Sequence, residues 1–391
     1  MTSFSHTDSS SPLNPRRRAL YHSHVLRRLP KFASAFAYGA SILTPNIPSQ
    51  MLDYIIVVDD ARAWHEANMR LNPSHYSRVL RFFGASAVDA VSNTIGVGVH
   101  FNAYVDIETP NLEAFKQTRY KYGIVERRTI ERDVEGWDNL FLAGRMQKPY
   151  ERVMGVREEE EDDDDNDDDN GLALDALNGK KNKRAALAYA LLVSRGSGKS
   201  KGTTTVEERD LYETIANLSY DGDIRHVFGA EDAQKARRIV DGSFEKMREW
   251  YEESFRDFRD SLDVIDYDVD LDSNSLSSSS SSSSPSQKPR VLTHDHSPQA
   301  TRKLLAMLPP PFLETMVAGD LRKLDMVSRE ANAETIARSI RETSRDIVRK
   351  SSLRQSISAA LTTDVVKVVT YAYQKFSKYR IESLEKSSSF R

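Results

Sequence analysis

Three short runs in the N-terminal part of the chain are apolar and rich in β-branched residues: Leu52 to Val58, Ile95 to Phe101 and Tyr122 to Val125. Their length and polar or glycine flanks predict strands. Between the first two, Ala61 to Leu71 carries its apolar residues at helical spacing. That mixture predicts an α+β domain from about Leu29 to Met154, not a helical bundle. Further along the period lengthens. Lys183 to Val193 and Glu207 to Leu218 read as helices, and Val240, Phe244, Met247, Tyr251, Phe255 and Phe258 recur at spacings of three and four. Such a row is one buried stripe on a long helix. Arg302 to Leu308 is a helical turn stopped by three prolines. Leu353, Ile357, Leu361, Val365, Val368 and Tyr371 form a last helical stripe.

Two stretches interrupt the pattern. Glu158 to Asp169 holds eleven carboxylates in twelve residues, and Ser277 to Ser284 is eight consecutive serines. A self-repelling acidic run and a serine tract bury nothing, so both predict solvated inserts. The expected organisation is a basic leader over 1–31, a mixed domain over 32–154 and an acidic disordered insert over 155–182. A helical domain over 183–262, a Ser-rich disordered insert over 263–298, a helical continuation over 299–348 and a tail over 349–391 follow.

Charge sharpens this division. The formal net charge of −3 conceals a chain that is basic outside the acidic run, which suits anionic partners. The leader has Arg16, Arg17, Arg18, Arg27, Arg28 and Lys31 against one acid, Asp8. That composition fits an organellar transit segment and equally a basic disordered terminus. The tail from Arg349 holds nine basic and three acidic residues. A basic amphipathic helix of this kind suits an anionic membrane surface, or packing on its own protein. Cysteine is absent, which excludes disulfides and thiol catalysis. No apolar run is long enough to span a bilayer.

The richest chemistry lies in Phe36-Ala37-Tyr38-Gly39-Ala40-Ser41 followed by the Leu52 to Val58 strand with Asp53, Asp59 and Asp60. Amides of a glycine turn can cradle phosphates while a strand carboxylate holds magnesium. Asp53 and Asp59 share a face of the strand but stand roughly 20 Å apart if it runs straight. A second metal ligand must then come from Asp106 or Glu108, or from Asp59 if the chain bends. His65 and Asn68 share a helical face above Asn72, with His75 nearby, and such donors suit phosphate oxygens or a base edge. Their spacing matches no common zinc pattern. Lys121 and Arg145, brought near the turn, would neutralise a departing pyrophosphate. Gly196-Ser197-Gly198-Lys199-Ser200 is not a P-loop, because the first glycine would fall at Val193.

These blocks, taken in order, resemble the mitochondrial phosphatidate cytidylyltransferase family, the translocator assembly and maintenance proteins. They include Phe36 to Gly39, Met51 to Asp53, Val58 to Asp60, Trp64-His65 with Asn68, and His75 to Ser77. Gly96 to Asn102, Lys121 to Gly123, Asp133, Trp137, Ala143 to Pro149, Leu218 to Arg225 and Ser352 to Ser356 continue the series. The resemblance implies a nucleotidyltransferase-like domain, a winged-helix-like domain and a C-terminal amphipathic helix. It implies a magnesium-dependent reaction of CTP with phosphatidic acid, giving CDP-diacylglycerol and pyrophosphate for cardiolipin synthesis. The setting it implies is peripheral, on the matrix side of the mitochondrial inner membrane, with no nucleic acid partner. Asp53, Lys121 and Arg145 are then the expected catalytic residues. Tyr38, Gly39, Ser41, His65 and Asn68 are expected at the nucleotide, and Asp53 and Asp59 at the metal. One departure stands out: the family reads Gly-Ser-Gly where this chain reads Gly39-Ala40-Ser41. The alternatives are a nucleotidyltransferase with another acceptor and a non-catalytic membrane-associated assembly factor.

Overall fold

The computed structural model describes residues 22–43, 51–107, 119–153, 166–194, 203–227, 234–260, 262–266, 290–317 and 333–362. Its first part is built on a five-stranded sheet, β1 (Ser34–Tyr38), β2 (Leu52–Val58), β3 (Val99–Asp106), β4 (Arg119–Glu126) and β5 (Glu151–Val153), in the order β3-β4-β2-β1-β5. β2 and β4 run parallel, while β1 pairs antiparallel with β2 and β5, and β3 with β4. The run of Ile and Val in β2 suits this central place, where both faces are covered. Every residue of β2 is buried except Asp53.

Strand alternation divides the side chains between two layers. On one face Tyr54, Ile56, Tyr120, Tyr122 and Ile124 pack against α1 (Ala40–Leu43) and α2 (Ala61–Leu71), through Ile42, Ala61 and Trp64. On the other, Phe36, Ile55, Val57, Val99 and Val125 meet α3 (Arg127–Gly136) and α4 (Ala143–Met146), through Ile130, Val134 and Met146. Val25, Leu26 and Leu29 join the first layer, so the end of the basic leader is part of the fold. Residues 1–21 of that leader lie outside the described residues.

Ile95 does not begin a strand. Val91–Ile95 is a π-helical turn closed by the Gly96 N–H on the Val91 carbonyl at 2.8 Å, and β3 starts at Val99. Gly98 has φ +80°, and a Cβ there would lie 2.6 Å from Thr129 Cγ2. The left-handed backbone and this close approach both require glycine.

The acidic insert is shorter than its composition suggests. Helix α5 (Asn166–Leu177) starts inside it and runs through a π-helical turn, Asn178–Lys183, into α6 (Arg184–Ser194). Beyond the carboxylates, Leu174, Asn178 and Asn182 are buried, so these residues carry the packing that the acidic run lacks. The Ser-rich region is likewise narrower. β7 (Ile265–Asp266) and β8 (Val291–Asp295) flank it and join β6 (Thr203–Glu207) in a second sheet, β6-β8-β7. The core acidic run over 158–165 and the eight serines lie outside the described residues.

The helical part packs α6, α7 (Glu208–Leu218) and α8 (Lys235–Asp260), and the whole predicted α8 stripe is buried. Buried Arg248 forks onto Glu208, with Nη2 2.6 Å from Oε2, and Tyr212 donates to the same carboxylate at 2.8 Å. Helix α9 (Ala333–Thr362) runs unbroken through position 349, so the tail has no structural boundary there. Its Arg354 and Gln355 donate to the carbonyls of Ile95 and Val99 in the first part of the chain. Val365, Val368 and Tyr371 of the predicted stripe lie outside the described residues.

Candidate active site

β1 ends at Tyr38, directly across from Asp53 on β2, and Asp53 is in turn beside Lys121 on β4. The sheet register therefore brings together residues far apart in sequence. Gly39 follows with φ +84°, and a Cβ there would sit 3.4 Å from Asp53 Oδ2. Lys121 Nζ is 3.7 Å from Asp53 Oδ1, and both side chains are partly exposed. Lys121 also lies over the Phe101 ring, 4.4 Å from its centroid. A carboxylate, an ammonium and a left-handed glycine turn thus share one rim of the sheet.

Arg145 reaches this rim from α4, in the layer that Asp53 and Lys121 face. Its guanidinium lies 5.4 Å from the Tyr38 ring and 3.8 Å from the Phe141 ring, and one of its terminal nitrogens donates to the Phe141 carbonyl. Its Nε is buried without a hydrogen-bond partner. Buried Asp133 holds the segment leading to Arg145, accepting from the N–H groups of Asn139, Leu140, Leu142 and Ala143 at 2.7–3.0 Å. Those bonds sustain left-handed backbone at Trp137 and Leu140. From the other side Asn182 accepts from Trp137 at 2.9 Å and donates to the Ala143 carbonyl at 2.9 Å. The segment read as part of an insert therefore clamps the arginine.

Beside Arg145 sits Lys148, which the residue pattern alone did not single out. It is 6% exposed, donates to Ser219 Oγ at 3.1 Å and lies 5.1 Å from the Tyr220 ring. Lys235 covers the same ring at 4.6 Å. Burial, with the nearby charges of Arg145 and Lys235, pushes the Lys148 ammonium down to about 7. Ser219, Tyr220 and Lys235 come from the helical part of the chain, so both halves of the chain meet at Lys148. Lys246 on α8 donates to the Ile42 carbonyl.

Three expected residues lie elsewhere. Asp59 is at the opposite end of β2, exposed and paired with Arg127 at 3.1 Å. The strand does not bend, so Asp53 and Asp59 do not share one ion. His65 and Asn68 sit behind the sheet, on the face opposite Asp53 and Lys121. His65 Nδ1 is 2.8 Å from Tyr76 Oη, and Asn68 donates to Tyr76 and Tyr122 at 2.9 and 2.8 Å. His100 and Asn102 complete this buried set. Burial holds His65 well below the usual histidine range and His100 down at about 4. Ser41 is buried too, with no partner for its hydroxyl, while Ala40 faces outward. Successive helical residues point about 100° apart, so Ser41 turns inward with Ile42 and Leu43.

Asp106 is on the same face as Asp53 but two strands away, and it pairs with Arg119 at 3.0 Å. Glu108 lies outside the described residues. Among the described residues, no three His, Cys, Asp or Glu side chains converge in a metal-binding group.

The sequence profile of a family described as phosphatidate cytidylyltransferase, mitochondrial, matches residues 22–378. The chain belongs to this family. Relatives named phosphatidate cytidylyltransferase, mitochondrial, occur in Mus musculus, 29% identical over 360 residues, covering 90% of this chain and 93% of the relative. The Danio rerio relative is 28% identical over 377 residues, covering 92% of this chain and 94% of its own. The Schizosaccharomyces pombe relative is 31% identical over 221 residues, covering 56% and 48% respectively. The family match covers the sheet rim, Arg145, Lys148, Ser219 and Tyr220 alike.

Proposed function

We propose that the protein is a phosphatidate cytidylyltransferase, which joins CTP and phosphatidic acid into CDP-diacylglycerol with release of pyrophosphate. Family membership supplies the reaction. The observation that carries the assignment of residues is the meeting of Gly39, Asp53 and Lys121 at one rim. A phosphate oxygen of phosphatidate forms a bond to the α-phosphorus of CTP as the bond to the β-phosphate breaks. Phosphomonoesters lose their second proton near pH 6, so the nucleophile is already ionised and no general base is needed. The protein's task is to hold two anions in line and to balance their charge.

The Gly39 turn lies against the triphosphate, its open Cα letting phosphate approach the backbone, with Tyr38 beside it. Lys121 and Arg145 face the departing pyrophosphate. Magnesium fits this donor set, because it is commonly held by one or two carboxylates together with substrate phosphates. Asp53 is the carboxylate that would hold it, and the ion supplies Lewis-acid neutralisation of the phosphates. The sheet domain is a nucleotidyltransferase-like unit, and the helical part with its small β6-β8-β7 sheet a winged-helix-like one.

No helix among the described residues is long and apolar enough to cross a membrane. The outer face of α9 instead presents Leu353, Ile357 and Leu361, each about half exposed. With the basic tail these side chains suit peripheral docking on an anionic bilayer, at the matrix side of the mitochondrial inner membrane. A second reading, an assembly factor that binds membrane without turnover, draws on Ala40 standing outward where the family has serine. Full-length protein with labelled CTP, magnesium and phosphatidate liposomes separates the two. Labelled CDP-diacylglycerol is the expected product; liposome binding with no product would overturn the enzymatic reading.

A further inference from the structure

We infer that the short helix Arg78–Phe83 is a membrane contact separate from α9, in which Phe82 and Phe83 enter an anionic bilayer surface and Arg78 and Arg81 meet its phosphates. This contact lies outside the proposed chemistry; only the choice of a bilayer as its occupant rests on that reading.

The local sequence builds a protruding corner. Ser77 caps the helix, accepting from the Leu80 N–H at 3.3 Å, and Gly84 ends it directly after Phe83 with φ +76°. A Cβ on Gly84 would meet no atom within 4 Å, so the corner stands in open space. Of the six helical residues only Leu80 is buried, packing with Tyr76 and Val88. Phe82 is 82% exposed, Phe83 64% and Val79 56%, and the two phenyl rings meet edge to face with centroids 5.1 Å apart. At about 100° per residue these three side chains fall within one arc of roughly 100°, and Leu80 lies outside it. Single exposed hydrophobics are ordinary, but three on one arc mark a surface that something covers.

Charge selects the occupant. From Ala67 to Val88 the chain carries Arg70, Arg78 and Arg81 and no carboxylate. Arg70 is held by Glu66, whereas Arg78 and Arg81 are exposed and form no ion pair among the described residues. Phenyl rings beside free guanidinium groups suit an anionic lipid surface, where the rings sink to the headgroup boundary and the arginines reach the phosphates. The chain's own tail, with nine basic and three acidic residues from Arg349 onward, is of the wrong sign to cover them.

The corner is also tied to α9. Helix Ala85–Ala90 carries the chain from Gly84 into the Val91–Ile95 turn. The Ile95 carbonyl accepts from Arg354 at 3.1 Å, and a Cβ on Gly96 would lie 3.0 Å from Ser358 Oγ. The tip and the exposed Leu353, Ile357 and Leu361 of α9 are thus two apolar surfaces on one packed frame. Contacts linked in this way act together, and losing either costs most of the avidity.

The chain has no cysteine, so Phe82→Cys gives the full-length protein a single attachment point for an environment-sensitive fluorophore. The probes are vesicles of phosphatidylcholine, alone or mixed with phosphatidylglycerol, without CTP, metal or phosphatidate. Emission should shift to the blue, and brominated acyl chains should quench it, on the anionic vesicles only. Without label, the pair Phe82→Ser and Phe83→Ser should weaken binding to anionic vesicles by about tenfold or more. The pair Arg78→Gln and Arg81→Gln should weaken it by about tenfold. Both pairs should melt with the wild type and match its rate on a dispersed short-chain phosphatidate. A label that stays in water on anionic vesicles, or shifts equally on neutral ones, overturns the contact. So does tip-variant binding equal to wild type, or a wild type that binds no vesicles. A shift that grows with protein concentration in the absence of lipid also overturns it, by making a second copy the occupant. An intact shift with no CDP-diacylglycerol formed by any variant or the wild type keeps the contact and sinks the proposed reaction instead.

Discussion

The two faces of the first sheet carry polar groups of opposite character. Behind the sheet, His65, Asn68, Tyr76, His100, Asn102 and Tyr122 form a closed network in which no buried polar atom lacks a partner. At the front rim, Asp53 and Lys121 stay partly exposed at 3.7 Å, while Arg145 keeps an unpartnered Nε and Lys148 has no carboxylate partner among the described residues. A satisfied buried network fixes the shape of a core. A charged set with spare capacity suits a ligand. The candidate site proposed above is therefore drawn from residues left with spare capacity, and not from the polar residues whose hydrogen bonds are already made.

Four experiments press on that contrast, the largest effect first. Asp53→Asn keeps the size of the side chain and removes its charge, so turnover should fall about a hundred- to a thousandfold with little change in melting temperature. An unchanged rate in the liposome assay would remove Asp53 from the chemistry. Asn68→Ala deletes the donor shared by Tyr76 and Tyr122, and unfolding in urea should show a loss of about 2–4 kcal/mol. Turnover per folded molecule should hardly change, whereas a selective loss of CTP affinity would move Asn68 back to the substrate.

The network also predicts a pH signature. Its histidines bind protons more weakly folded than unfolded, so their contribution is fully present above the ordinary histidine value of about 6.5 and fades as pH falls toward the folded values. For His100, held at about 4, the loss by pH 5 is roughly 2 kcal/mol. Denaturant melts at pH 7 and pH 5 should record it, and a flat response would show that these rings are hydrated. Asp59→Asn should have the smallest effect. It removes an exposed ion pair with Arg127, worth under about 1 kcal/mol, and should leave the rate alone. A lost rate would place a metal at that end of β2.

Much of the fold was legible in the sequence because its signals are local. The β-branched run of β2, the period of α2 and the six-residue stripe of α8 each name their own element. Local composition misled in two places. The acidic run and the serine tract drew their neighbours into supposed inserts, although Leu174, Asn178 and Asn182 pack and β7 and β8 pair with β6. At Ile95 the apolar character outweighed the two glycines that turn the backbone before β3.

The candidate site was half legible. Gly39, Asp53, Lys121 and Arg145 do converge, whereas His65, Asn68 and Asp59 looked equally chemical and stand apart. Lys148 lay inside the Ala143 to Pro149 family block but did not stand out within it, since one lysine among many is ordinarily solvated.

By itself the sequence determined the mixed architecture, the family and the pool of residues that chemistry could draw on. Tertiary structure alone decided which members of that pool meet and which face solvent. Adjacent strand residues project to opposite faces, so Asp53 and Tyr54, or Lys121 and Tyr122, end in different environments. Whether a buried charge finds a partner depends on residues brought close by folding, and Ser219 reaches Lys148 across 71 positions of chain.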